Sequence, residues 1–233
     1  MNTKIPFYYI WTPKYKLFAD VLKSGLSHYS NFLEDKELFM TQEEFEATLS
    51  KSSEEGHFMT GCFLKIDHIL ELLHSLPENS YFLFSDADVI LFPNKELQKL
   101  LEIYTSSNVD CVCMRESMAS TVSNFGFCLF KVCDANKDLF IRILAMTKEN
   151  PTGHDQTMLN DALKTYTGIH HFFPPEFVTT SSTLIDIYNR QSNKSITKNA
   201  IMVHQVLVDV TIKGNDAIQA KINEYVQHFN INI

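Results

Sequence analysis

This sequence predicts an α/β fold, with a mostly parallel central sheet and helices on both faces. Three observations lead there. Short apolar runs of strand length alternate with longer segments of helical period. The run Tyr81 to Phe84 is apolar on both faces, as a strand between two helix layers must be, and Val109 to Met114 and Phe125 to Lys131 read as further buried strands. No Pro/Gly/Ser-rich linker interrupts the 233 residues, so 1–233 is expected to form a single domain.

Taken in order, IPFYYIW (5–11) reads as the first strand, and TPKY breaks it. Lys16 to Tyr29 is expected to be a helix with Leu17, Val21 and Leu22 inward. Residues 34–55 are acid-rich and polar, and suit one more strand and a solvated helix or loop. Phe63 to Leu76 carries a broad apolar stripe (Leu64, Ile66, Ile69, Leu70, Leu72, Leu73) and ends at Pro77 and Asn79. Helices are expected at Lys95 to Tyr104, Lys137 to Thr147, Gln156 to Leu163 and Asp216 to His228. Short strands are expected at Ile169 to Phe173 and Ala200 to Val203.

Composition narrows the function. The net charge of -8 argues against nucleic acid as the main partner, because phosphate binding needs a basic patch. No twenty-residue apolar segment appears, and the N-terminal MNTKIPFYYIWTPKY is too polar for a signal peptide. A soluble, cytoplasmic protein without a membrane span is the expectation. The five cysteines, Cys62, Cys111, Cys113, Cys128 and Cys133, form no CxxC pair. They read as small buried thiols in a reducing compartment rather than metal or redox groups. The pair His170-His171 reads as loop or strand filler.

The chemistry concentrates in YFLFSDADVILFPN, residues 81–94. Asp86 and Asp88 lie where an apolar strand runs out, and ligands of open α/β sheets sit beyond the carboxyl ends of strands. Two carboxylates aimed at one spot repel, and burying them unpaired is costly. A divalent cation removes both difficulties, and oxygen donors suit Mg²⁺ or Mn²⁺. The plainer alternative makes Ser85 and Asp86 part of a turn, with Asn94 capping the helix from Lys95.

The stretch FLKIDHILELLHSLPENSYFLFSDADVILFPN resembles the centre of the GT-A nucleotide-sugar glycosyltransferases, most closely the glycogenin-like and nucleotide-diphospho-sugar transferase families. That resemblance implies a GT-A, Rossmann-like fold and a DxD pair, Asp86 and Asp88, holding Mn²⁺ or Mg²⁺ on a nucleotide diphosphate. Asp86 would also touch the ribose, and Lys65 would reach the donor near its phosphates. NFGFCLFK resembles the family's N-[ST]-G strand edge, so Asn124 would bond sugar hydroxyls and Gly126 would let backbone approach the ligand. Phe125 stands where a small Ser or Thr is usual. GHDQTMLNDAL resembles G-x-DQ-x-x-LN at a helix head. Asp155, also a natural N-cap, would bind the sugar, and Gln156 would sit beneath the anomeric centre. AIMVHQ resembles the late strand whose histidine is the third metal ligand, here His204. Lys213 resembles a lysine that holds the diphosphate, with Lys221 as its rival. In YIWTPKY, Thr12 and Tyr15 would contact the base, in a loop about two residues shorter than in glycogenin-like enzymes.

The implied activity is transfer from a nucleotide-diphosphate sugar, UDP-linked, to a hydroxyl of a glycan or glycoprotein acceptor, with retention. Asp155 is the base to test if the reaction inverts. A sugar-nucleotide pyrophosphorylase would need a Gly-rich phosphate loop that TPKYKLF lacks. An inactive relative serving as a nucleotide- or metal-binding or assembly protein is the competing reading.

Overall fold

The structure, a computed structural model, describes residues 4–11, 15–41, 43–44, 57–92, 94–117, 120–150, 154–175, 178–180 and 202–204. The strands are β1 (Ile5–Trp11), β2 (Leu33–Phe39), β3 (Tyr81–Asp86), β4 (Val89–Leu91), β5 (Cys111–Arg115), β6 (Ser123–Lys131), β7 (His170–Phe172), β8 (Val178–Thr180) and β9 (Met202–His204). The helices are α1 (Lys16–Ser27), α2 (His57–Ser75), α3 (Glu96–Ser106), α4 (Asp134–Glu149) and α5 (Asp155–Leu163). The expected helix over Asp216 to His228, like Thr12 and Lys213, lies outside the described residues.

Six strands form the main sheet in the order β2-β1-β3-β6-β5-β7. β1 pairs in parallel with β2 and β3, β5 in parallel with β7, and β6 runs antiparallel to both its neighbours. Apart from β6, then, all strands of this sheet run one way, which brings their carboxyl ends to one edge. A second sheet, β4-β9-β8, stands beside that edge.

Strand alternation builds the two core faces. Phe7, Tyr9, Leu83, Leu129 and Phe173 meet Leu22 and Leu26 of α1 and Leu97 and Leu101 of α3 on one face. Phe82, Phe84, Cys111, Cys113, Cys128 and Phe130 meet Ile66, Ile69 and Leu73 of α2, Leu139, Phe140 and Ile143 of α4, and Met158 and Leu159 of α5 on the other. Gly25 lets α1 lie directly on β4, because a Cβ there would come within 2.8 Å of the Leu91 carbonyl oxygen. Tyr29 Oη donates to the Phe92 carbonyl and accepts from Asn94 N at 3.2 Å, fixing the chain that leaves β4. Helix α3 starts one residue later than expected, with Lys95 rather than Asn94 as its N-cap residue, and Asn94 Oδ1 still takes the first helical amide, Glu96 N, at 2.9 Å.

Three differences from the sequence reading matter. β3 continues through Ser85 to Asp86, and a turn at residues 87–88 follows, so the DxD straddles a strand–turn–strand junction rather than one extended segment. VIL (89–91) supplies β4 of a second sheet, and β8 is an element the local pattern did not single out. Helix α2 begins at His57, six residues before the expected Phe63.

Candidate active site

Asp86 closes β3 and is paired in register with Ile10 of β1. Asp88 lies in the turn that follows; both aspartates are half-buried and Ala87 between them is buried. The antiparallel register of β4 and β9 puts His204 opposite Val89, one residue beyond Asp88. The three expected ligand positions, 86, 88 and 204, are therefore brought to one junction by backbone pairing.

Lys65 occupies the centre of the site. Its relative exposure is 5%, and its ammonium donates to Asp86 Oδ1 at 2.9 Å and pairs with Asp155 Oδ2 at 2.8 Å. It also approaches the Phe125 carbonyl at 3.3 Å and sits 4.3 Å above the Phe125 ring. One cation from α2 thus ties the end of β3 to the start of α5.

Phe125 owes this place to an irregularity in β6. The β5–β6 register passes from Cys113↔Cys128 to Met114↔Asn124, so residues 125–127 bulge out of the ladder with Gly126 at their middle. The bulge turns Phe125 into the helix-covered core, against Phe140 at 5.9 Å between centroids. The residue that departs from the family pattern serves as the apolar floor beneath Lys65 and is 2% exposed.

Asp155 begins α5 rather than preceding it; His154 is the N-cap residue and makes no side-chain cap bond. Burial of Asp155 opposes its ionisation, but the Lys65 charge, His154 and the Gln156 amide at 2.7 Å overcome that and hold the carboxyl well below the ordinary range. The same contact raises the His154 pKa, mainly through its hydrogen bond with Asp155. A carboxylate so held is a fixed anion and a poor proton acceptor near neutrality.

Glu116, one residue past β5, joins the other two motifs. Its Oε2 accepts from Asn124 Nδ2 at 2.6 Å and from Gln156 Nε2 at 3.1 Å. Asn124 Oδ1 in turn accepts from Gly126 N at 2.8 Å, inside the bulge. Asn160 clamps β6 to α5: its amide pairs with both backbone groups of Ser123 at 2.8 Å and donates to the Gln156 carbonyl at 2.7 Å. Neither Glu116 nor Asn160 was assigned a role from the sequence. The signal for Glu116 was present, a carboxylate just beyond the carboxyl end of a buried strand, the same position that marks Asp86.

Of the expected site residues, Lys65, Asp86, Asn124, Gly126, Asp155 and Gln156 form one hydrogen-bonded network through Glu116 and Phe125. Asp88 and the backbone of His204 adjoin it. Tyr15 stands at the head of α1, its ring 6.2 Å from Phe18.

Carboxylates and amides thus gather at the carboxyl edge of a mostly parallel sheet, beside a small second sheet, where open α/β folds bind their ligands. Solved glycosyltransferase structures share this fold. A glycosyltransferase involved in glycosylation of the major capsid of PBCV-1 superposes with a TM-score of 0.61 at 15% identity, covering 89% of this chain and 95% of its own. The galactosyltransferase LgtC gives 0.53 at 12% identity, over 94% and 96%. GlyE of Streptococcus pneumoniae TIGR4, in its apo form, gives 0.60 at 14% identity, over 89% of this chain and 56% of its own. The chain belongs to the nucleotide-diphospho-sugar transferase family, whose profile matches residues 27–215. No curated protein matches its sequence significantly. Among the described residues, no helix is long and apolar enough to cross a membrane.

Proposed function

We propose that this glycosyltransferase moves a sugar from a UDP-linked donor to an acceptor hydroxyl of a glycan or glycoprotein, with retention, and depends on Mn²⁺ or Mg²⁺. The observation that carries the metal dependence is the β4–β9 register, which sets His204 beside the DxD turn. Two carboxylates and an imidazole fit a hard or borderline divalent ion that leaves positions for phosphate oxygens. When bound, the ion would neutralise charge on the leaving diphosphate.

The chain's own residues supply the rest. Asp86 and Asp88, with His204, would hold the ion. Lys65 fixes the Asp86 carboxylate at 2.9 Å and sets positive charge beneath the diphosphate site. Asn124 and Gln156, both oriented by Glu116, would present amides to the sugar, and the bulge at Gly126 brings backbone to its edge. Tyr15, with Thr12, would take the base, and Lys213 would close on the diphosphate. Asp155 would position the sugar as a fixed anion. Its ion pair with buried Lys65 disfavours it as the base an inverting reaction needs, and so favours retention.

Calorimetric titration with a panel of nucleoside diphosphates and nucleotide-sugars, with and without Mn²⁺, tests this. Binding of one nucleotide only with metal is expected. Absence of binding under every condition would overturn it.

A further inference from the structure

A second cluster of metal-ligating side chains is built from residues other than the DxD. Cys111 and Cys113 alternate along β5 and share a face. The parallel β5–β7 register pairs Cys111 directly with His170. The two sulfurs are 3.6 Å apart, and ligand atoms of all three residues lie within 4.8 Å of one another. Two thiolates bound to zinc at about 2.3 Å in a tetrahedral site stand roughly 3.8 Å apart, so the observed sulfur pair nearly spans one edge of such a site.

The surroundings suit a bound ion. Both cysteines are fully buried, whereas His170 is half-buried on β7, the edge strand of the main sheet, which gives solvent a route in. Ser123 Oγ lies 3.4 Å from His170 Nε2, a polar neighbour for the ring. Charge also balances. Two thiolates and a neutral imidazole around a dication give a neutral group, which an apolar core face tolerates where a lone charge would not be. The Asp86, Asp88 and His204 positions offer mainly oxygen, which suits Mn²⁺ or Mg²⁺; two sulfurs and a nitrogen suit Zn²⁺.

We propose that Cys111, Cys113 and His170 bind Zn²⁺, with a water in the fourth position. Binding releases the two thiol protons to solvent and forms two Zn–S bonds and one Zn–N bond, with no change of oxidation state. The ion staples the short edge strand β7 to β5, whose far end delivers Glu116 to Asn124 and Gln156.

Titration of the protein with Co²⁺ tests this, because thiolate-to-cobalt charge-transfer absorption reports sulfur ligands and carboxylates at the DxD give none. One equivalent is expected to produce that band with tetrahedral ligand-field bands, and Zn²⁺ should displace it. Cys113→Ser should abolish the band, and His170→Asn, on the edge strand, should weaken Co²⁺ binding by more than about tenfold. Cys133→Ala and Asp88→Ala should leave it intact, the second separating this site from the donor-metal site. No band in the unaltered protein, or a band that survives both Cys113→Ser and His170→Asn, would overturn the proposal.

Discussion

Replacing Lys65 by Met keeps the length of an apolar stem and deletes the charge. The side chains of Lys65 and Asp155 are 7% and 6% exposed, so the substitution leaves a buried carboxylate without its lysine partner. Breaking a buried pair from one side costs about 3–5 kcal/mol. For a chain of this size that is a fall of roughly 6–20 °C in Tm. Asp86 adds little to the loss, because its side chain is 27% exposed and water can replace the ammonium.

The pH dependence has a definite sign. In the unaltered protein the Asp155 carboxyl is depressed, so its contribution is fully present above the unfolded value of about 3.9 and is lost as pH falls through the folded value. In Lys65→Met only burial, His154 and the Gln156 amide remain, and loss of the lysine charge moves the carboxyl upward. The variant's penalty is then relieved as protonation sets in. The stability gap between the two proteins should narrow as pH falls from 7 toward 4. Urea unfolding at several pH values measures it, and adding Asp155→Asn should recover a large part of the loss, giving the coupling energy of a double-mutant cycle. A gap under about 1 kcal/mol at neutral pH, or one that does not change with pH, would refute the reasoning.

Other expectations concern function. Asp88→Ala should remove metal-dependent donor binding while thermal unfolding stays cooperative; unchanged Mn²⁺-dependent binding in that variant would sink the DxD assignment. Gln156→Ala should lower kcat more than nucleotide affinity, and untouched turnover would make the amide a structural group only. Glu116→Ala removes the acceptor shared by Asn124 and Gln156. Hydrogen bonds to a charged group are worth about 1.5–3 kcal/mol, so kcat/KM for the donor should fall roughly 10–150-fold with nucleoside diphosphate affinity preserved. An equal loss of nucleoside diphosphate affinity would mean that Glu116 supports the whole site rather than the sugar pocket.

The sequence by itself determined the alternation of strands and helices, the apolar character of β3 on both faces, and the order of DxD, NxG, DQ and His along the chain. These are local properties, because periodicity and strand-end placement are written in neighbouring residues. Tertiary structure decided what those residues face. Lys65 was expected to reach the donor near its phosphates, but its partners were not legible: packing of α2 against the sheet buries it between two carboxylates that are far from it in sequence. Phe125 read only as a bulky residue where a small Ser or Thr is usual, and the β6 bulge sends its ring into the core. Glu116 has no motif of its own and gains its partners only because β5, β6 and α5 end at one edge. Cys111, Cys113 and His170 read separately as buried thiols and filler, since strand register between β5 and β7 is a long-range choice that local pattern does not record.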